Sequence, residues 1–297
     1  MTEFNQTIAR KGNIIAKTGF QGYDYCLNPY VGCQHGCKYC YVRFFIKDKN
    51  HPWGQFIRTR DHIQTKLHEE LTKLPPNSRI VIGTMTDPYQ PQEEIHRLTQ
   101  KTLQIIQQTK NKPQKIGIFT KSPRILQDAQ LIETLPDPTI HLTLSPFPQE
   151  ILQLLETDVQ SLEERKKAIR ELTKRKIKIC LNIAPAIPII SDQLTSSLIN
   201  FIQEIQPTQF FVDSLQKYQE SYLNVKTALK HLPIWPQIEK QLEDEPFLKW
   251  KASFAHQWIT EIKSIKYQGI PIWCDHASQT WINMHTGQDI PKKNHDW

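Results

Sequence analysis

The 297-residue sequence contains no run of eighteen apolar residues, so no segment is expected to cross a membrane as a helix. The stretch from Met1 to Lys11 is polar, with neither the apolar core of a secretory signal nor an Arg-rich amphipathic pattern, and a cytoplasmic location is expected. There is no internal repeat beyond a βα unit and no low-complexity tract, which excludes solenoids and disordered polar segments. No second Cys-x-x-Cys pair exists, so a closed four-thiol zinc site lacks half its ligands. Disulfides are disfavoured as well, because the closely spaced cysteines would form very small loops in a chain without a secretory signal.

Hydrophobic residues make up 38% of the chain and aromatics 9%, enough for a sizeable core in one catalytic domain. The net charge is +7, which permits attraction to nucleic acid or to an acidic peptide and demonstrates neither. Apart from Arg165-Lys166-Lys167 and the run Lys174 to Lys178, the basic residues are scattered. Such clusters are usually solvated helix faces.

The chemistry is concentrated in Asn28 to Tyr41, where Cys33, Cys37 and Cys40 follow a Cys-x3-Cys-x2-Cys spacing with Tyr39 before the third thiol. Three thiolates on one glycine-punctuated loop can each hold one iron of a 4Fe-4S cluster, and no fourth cysteine stands at a spacing that completes the set. One iron is left open, which is where S-adenosylmethionine (SAM) chelates through its amino and carboxylate groups. His35 would strain a tetrahedral Cys3His zinc shell, lying two residues from each of two other ligands. The run Asn-Pro-Tyr-Val-Gly-Cys-Gln-His-Gly-Cys-Lys-Tyr-Cys-Tyr resembles the radical SAM signature, and most closely its spore photoproduct lyase-like branch.

Short apolar runs alternate with helical patterns along the chain. Strands are expected at Gly22–Leu27, Arg79–Thr84, Lys115–Thr120, Thr139–Ser145, Ile177–Ile183 and Thr208–Val212. The intervening helices are capped by Asp61, by Ser122-Pro123 and by the capping box Ser161–Glu164, with further helices at 92–110 and 191–206. Six strands in parallel crossover units fit either a barrel or a flat doubly wound sheet. The resemblance selects the partial (β/α)6 TIM-like barrel of radical SAM proteins. The expected division is a lead-in over 1–21, a core barrel over 22–215 and a mostly helical C-terminal extension over 216–297. The extension carries helices near 218–231 and 247–268 and one more strand at 270–274.

In a barrel, residues at the strand ends line the cofactor cleft. The resemblance implies that Thr84, Thr86 and Asp87 hold the amino group of SAM, with Asp87 as a catalytic candidate, although Asp-Pro is also a common turn opener. Thr120-Lys121-Ser122 looks like the Thr-Lys-Ser of this branch, where the lysine pairs with the SAM carboxylate. Tyr39, Ser145, Asn182, Ala184 and Pro185 are the remaining cofactor-contact candidates. Glu156 and Arg165 match an acidic and a basic position of the branch, with a surface salt bridge as the equal alternative.

Tyr41 matches a tyrosine that the lyase family uses to relay hydrogen atoms, whereas Thr84 stands where photoproduct lyases carry a hydrogen-returning cysteine. Cys180 reads as a small buried hydrophobe, and Cys274 is the remaining candidate donor. The resemblance therefore implies a 5'-deoxyadenosyl-radical enzyme supplied by a flavodoxin- or ferredoxin-type electron donor. The favoured substrate is a ribosomally made precursor peptide, from which a tyrosine-derived fragment is excised as by the peptide spliceases, with a small partner protein. Nucleic-acid base or lesion chemistry and a non-catalytic iron-sulfur sensor are the alternatives.

Overall fold

The computed structural model describes residues 5–8, 12–46, 48, 50–60, 62–217, 219–265 and 267–273. Its strands, in chain order, are β1 (Asn5–Ile8), β2 (Ile15–Lys17), β3 (Tyr25–Leu27), β4 (Tyr30–Val31), β5 (Phe56–Thr59), β6 (Arg79–Ile82), β7 (Lys115–Thr120), β8 (Pro138–Thr143), β9 (Lys178–Ala186), β10 (Gln209–Ser214) and β11 (Ile270–Trp273). The main sheet has eight strands in the order β11-β10-β9-β8-β7-β6-β3-β2. From β3 to β11 every neighbouring pair is parallel, and only β2 runs antiparallel.

Each parallel strand lies beside its predecessor in sequence. A doubly wound sheet reverses its strand order at a switch point; this sheet has no such reversal, which is the order of a (β/α) barrel. Side-chain alternation supports the same reading. Ile140 and Leu142 of β8, and Ile179, Leu181 and Ile183 of β9, enter the main core with Leu67, Leu103 and Leu198 from the helices, all buried. Thr139, His141 and Thr143, like Cys180 and Asn182, fall on the opposite face, toward the inside of the curved sheet. Cys180 is buried, but on this inner face rather than among the helix-facing hydrophobes.

Several helices differ from the sequence expectation for local reasons. The helix expected over 92–110 is two, Glu93–His96 and Leu98–Gln108, separated by Arg97 with φ +53°. The Glu93 carboxylate accepts from the backbone amides of Thr99 and Gln100 at 3.0 and 3.1 Å, capping the second helix and fixing the break. Ser122 caps as expected, its hydroxyl accepting from the amide of Arg124 at 3.3 Å, yet it opens a 3-10 turn over Pro123–Asp128 before a short α-helix, Ala129–Glu133. The Ser161–Glu164 capping box is present and opens Leu162–Lys174. The Asp61 cap lies outside the described residues.

Helices at Gln149–Leu155 and Trp235–Gln241 are additional to the expected set. So are β1, β4 and β5, which form a small sheet of order β1-β5-β4 beside the cysteine loop. The C-terminal region is helical, with Gln219–Leu229, Trp235–Gln241 and Asp244–Ser264. It builds a second core in which Val225, Leu229, Trp235, Ile238 and Phe247 join Phe147, Ile151 and Leu155, with Tyr39 packed against it. It also returns to the main sheet, because β11 pairs with β10. Among the described residues no helix is long and apolar enough to cross a membrane.

Candidate active site

The cysteine loop leaves β4 and ends at the short helix Val42–Phe45. Cys33 and Cys37 are buried and Cys40 is half-buried. Burial raises all three thiols, pushing Cys37 up to about 12, so the unloaded chain holds them neutral and thiolate ligands form together with metal binding. Among the described residues no three His, Cys, Asp or Glu side chains converge on one ion. A cubane distributes its ligands over separate irons, so the three thiols fit it where they do not fit a tetrahedral zinc.

Backbone contacts fix the loop from several elements. Gly36 and Gly54 both have positive φ and pack back to back: a Cβ on Gly54 would fall 2.7 Å from the Gly36 Cα. The amides of Lys38 and Thr157 donate to the carbonyls of Leu155 and His35 at 2.8 and 3.0 Å. From the C-terminal helices, the Ser221 hydroxyl donates to the Cys40 carbonyl at 3.0 Å.

The segment after β6 supports the same loop. Thr86 donates its hydroxyl to the Gly32 carbonyl at 2.6 Å, and the Gln90 side chain accepts from the Gln34 amide at 2.7 Å. Asn28 bridges β3 to this segment, donating to the Thr84 hydroxyl and accepting from the Met85 amide. Asp87 accepts from the Thr120 hydroxyl at 2.7 Å, and from the amides of Tyr89 and Lys121 at 2.9 Å each. His35 Nε2 lies 3.3 Å from its second oxygen, an ion-pair distance without hydrogen-bond alignment. Burial alone raises the Asp87 carboxyl, but His35, Lys121 and Thr120 together hold it well below the usual carboxylate range. Its acceptor positions are thus taken by the protein, and it ties the ends of β6 and β7 to the cysteine loop. His35, the fourth ligand of a hypothetical zinc site, is turned toward Asp87 and the Asp158 carbonyl.

A second network stands at the end of β8. Glu156 accepts from the Tyr39 hydroxyl, from Ser145 at 2.5 Å and, on its other oxygen, from the Arg165 guanidinium. The Glu156–Arg165 side chains are 0% exposed, so the pair is buried rather than a surface salt bridge. Arg165 is completed by the carbonyls of Gln160 and Thr143. Burial raises the Glu156 carboxyl, and the opposing charges of Arg165 and Lys121 bring it down to about 2.

Lys121 lies between the two networks. Its ammonium stands 5.6 Å from the centroid of the Tyr39 ring, and it has no carboxylate ion pair among the described residues. Burial disfavours its charge, yet Cys37 when it is a thiolate, together with the carboxylates of Glu156 and Asp87, outweighs that and raises its pKa. It is a held cation with an open coordination side, which fits a ligand carboxylate.

The structure therefore brings Tyr39, Lys121 and Ser145 together with the three cysteines, and places Thr84, Thr86 and Asp87 around the loop. Asn182 is buried on the inner face of β9, with Ala184 and Pro185 above it on the same strand. Tyr41 donates to the Thr84 carbonyl at 2.8 Å. Cys274 lies outside the described residues. Sequence reasoning assigned no role to Asn28, Gln90 or Ser221 because each acts by bonding the backbone or a hydroxyl of a segment distant in sequence or within its own turn; only Asn28, inside the motif run, carried a signal.

Radical SAM superfamily proteins match residues 27–202. An uncharacterised protein of Methanocaldococcus jannaschii is 30% identical over 229 residues, spanning 73% of this chain and 85% of that protein. An uncharacterised protein of Acidianus two-tailed virus is 22% identical over 174 residues, 55% of this chain and 56% of the viral protein. A solved spore photoproduct lyase variant with bound AdoMet and dinucleoside spore photoproduct superposes with a TM-score of 0.65 at 12% identity, covering 90% of this chain and 80% of that one; at that identity the likeness speaks for the fold. On the match across residues 27–202, more than half of its length, the chain belongs to the radical SAM superfamily.

Proposed function

We propose that this radical SAM enzyme acts on a ribosomally made precursor peptide, from which it excises a tyrosine-derived fragment, with a small partner protein presenting the peptide. The family uses a 4Fe-4S cluster and SAM, and these are the cofactors of the chain. When bound, they supply a 5'-deoxyadenosyl radical by one-electron cleavage of the sulfonium. The residues supply the rest. Cys33, Cys37 and Cys40 hold the cluster, Lys121 takes the SAM carboxylate, and Tyr39 with the Glu156–Arg165 pair fixes the wall beside it. The buried loop excludes water from the radical.

The observation that carries the substrate reading is the absence of a thiol at the end of β6. Thr84 stands there, next to Tyr41. Among the described residues the thiols outside the loop are Cys26 and Cys180. Cys26 pairs with Val81, three residues below Thr84, and Cys180 is buried lower on β9. A hydroxyl bond is too strong to return a hydrogen atom to a carbon radical, so a lesion-reversal relay through this position is disfavoured. An excision that releases a stable fragment makes no such demand. The reading is tested by incubating reduced holoenzyme and SAM with a precursor peptide encoded beside the gene, with and without the neighbouring small protein. A mass loss matching a tyrosine fragment supports it; 5'-deoxyadenosine formation without any change in the peptide overturns it.

A further inference from the structure

The inner face of the main sheet carries rings that neither the cysteine loop nor the cofactor candidates use. The turn from Thr18 to Asp24, between β2 and β3, enters the bore of the sheet from the N-terminal end of the strands and delivers two of them. Tyr23 lies against Gly117 of β7, where a Cβ would fall 2.3 Å from its hydroxyl, and that hydroxyl is 2.7 Å from His141 Nε2. Phe20 packs on Phe119 with ring centroids 5.3 Å apart. The turn is tied by its own bonds. The Thr18 amide donates to the Asp24 carbonyl at 3.2 Å and the Tyr23 amide to the Phe20 carbonyl at 3.0 Å. The Asp24 carboxylate accepts from the Arg79 guanidinium at 2.7 and 3.1 Å, fixing the end of the turn to β6. It is a plug rather than a loose loop.

Phe119 and His141 are register neighbours on β7 and β8, and their rings stack with centroids 4.3 Å apart and planes 11° from parallel. Burial, helped by the charge of Lys115, pushes His141 down to about 3, so its ring is neutral. Phe119 is half-buried although its helix-facing neighbour Ile118 is 0% exposed, and Phe211 is half-buried beside the fully buried Phe210. Rings that keep accessible surface inside the sheet border an open space, and an apolar hollow of this kind is where a ligand group is received. The bottom of that space is aromatic and uncharged. Two residues further up the strands is the level of Lys121, Asn182 and Phe211, about 7 Å of strand rise. A ring packed on Phe119 at the usual centroid spacing of about 4.5–7 Å reaches that level. The space is therefore one ring deep.

Resting on the peptide reading above, we propose that Phe20 and Tyr23, with Phe119 and His141, form the floor of the substrate pocket and pack the tyrosine ring of the precursor peptide just below the cofactor level. The Phe119–His141 pair supplies the ring surface, and the plug stops the side chain from sinking further. A cationic side chain would meet the Lys121 ammonium, and an aliphatic one would be buried without the ring-on-ring contact. The floor acts by binding and sets depth; no bond is made or broken there.

The test is saturation-transfer NMR on the anaerobically reconstituted, oxidised holoenzyme with SAM, which can bind but has no electron to turn over. The probe is N-acetyltyrosinamide, with N-acetylleucinamide and thymidine for comparison. Wild type should transfer saturation chiefly to the ring protons of the tyrosine probe. Phe119→Leu should weaken that binding about fivefold and Phe119→Tyr should keep it, with iron content and SAM affinity unchanged in both. Phe20→Ala, in the plug and outside the sheet, should also weaken the tyrosine probe and leave the cofactors in place. Wild-type affinity for the probe in Phe119→Leu, or no transfer to the probe in wild type, overturns the proposal. So does an equal loss of SAM affinity, which would make Phe119 part of the cofactor wall, and so does an equal effect of Phe119→Leu on the leucine probe. The peptide reading fails separately: thymidine bound in preference to the tyrosine probe, and lost in Phe119→Leu, would put a nucleobase on the floor and overturn the occupant together with that reading. Conversion of the precursor peptide at the wild-type rate by Phe119→Leu would overturn the floor and leave the reading standing.

Discussion

The hydroxyl of Tyr41 donates to the backbone carbonyl of Thr84 at 2.8 Å, joining the residue after the third cluster cysteine to the end of β6. The contact fixes where a tyrosyl oxygen sits relative to the strand end that faces the cleft. It also shows that this tyrosine has a structural use independent of radical transfer. Tyr41→Phe should keep the cluster and the slow, substrate-free release of 5'-deoxyadenosine, while lowering conversion of the true substrate. Equal loss of both activities, measured on the same preparation, would assign Tyr41 to loop packing alone.

The three cysteines should bind about four irons and four sulfides per chain after anaerobic reconstitution. Replacing all three by alanine should abolish iron binding and leave the far-UV spectrum unchanged. Gly54→Ala should lower cluster occupancy with the cysteines intact, because the new Cβ meets the Gly36 Cα at 2.7 Å and Gly54 sits at φ +94°. Iron analysis of the two variants checks both statements; a zinc content of one per chain without iron would refute the first.

Lys121→Ala should weaken SAM binding at least about tenfold, since a charge-assisted contact is worth roughly 1.5–3 kcal/mol. Iron content should not change. Isothermal titration with SAM separates the two, and an unaltered affinity removes Lys121 from the site.

Much of this was legible beforehand, for identifiable reasons. The six inner strands announce themselves as short apolar runs at regular spacing, and their sequential order follows from the crossover rule. The cysteine loop is legible because its spacing carries the chemistry. The break at Arg97 is not, because a side chain six residues upstream of Thr99, Glu93, creates it from within a continuous helical pattern. The small sheet of β1, β4 and β5 is equally hidden, being made of two- to four-residue strands whose pairing is long-range. Glu156 and Arg165 were visible as a pair, but their burial depends on the Gln149–Leu155 helix, whose pattern is too short to read.

The Glu156–Arg165 pair should matter for acid resistance. Glu156 has a folded-state pKa of about 2 against an ordinary 4.5, so its contribution is full above about pH 4.5 and declines as the pH falls toward 2. Arg165→Met leaves the buried carboxylate unpaired and should cost about 3–5 kcal/mol at neutral pH. It should also reverse the local pH trend, because an unpaired buried carboxyl favours its proton. Thermal unfolding at pH 5 and pH 7 checks this: wild type should be nearly unchanged at this position, its dependence lying below about pH 4.5, and the variant should lose stability at the higher pH.

The proposed substrate class turns on what must happen after the first hydrogen abstraction. A pyrimidine-lesion lyase has to return a hydrogen atom to the repaired base, and with threonine at position 84 the end of β6 offers none. Photodamaged DNA is therefore expected not to stimulate 5'-deoxyadenosine formation. Any DNA binding that follows from the net charge of +7 should fade as salt rises, as counterion release requires. A precursor peptide should stimulate the reaction and lose mass in the same tubes. Thr84→Cys sharpens the comparison: if the position is the only obstacle, the variant should acquire weak activity on a thymine lesion that the wild type lacks. Clean reversal of the lesion to two thymines by the wild-type chain would place the hydrogen source elsewhere, and would move the substrate from peptide to nucleic acid.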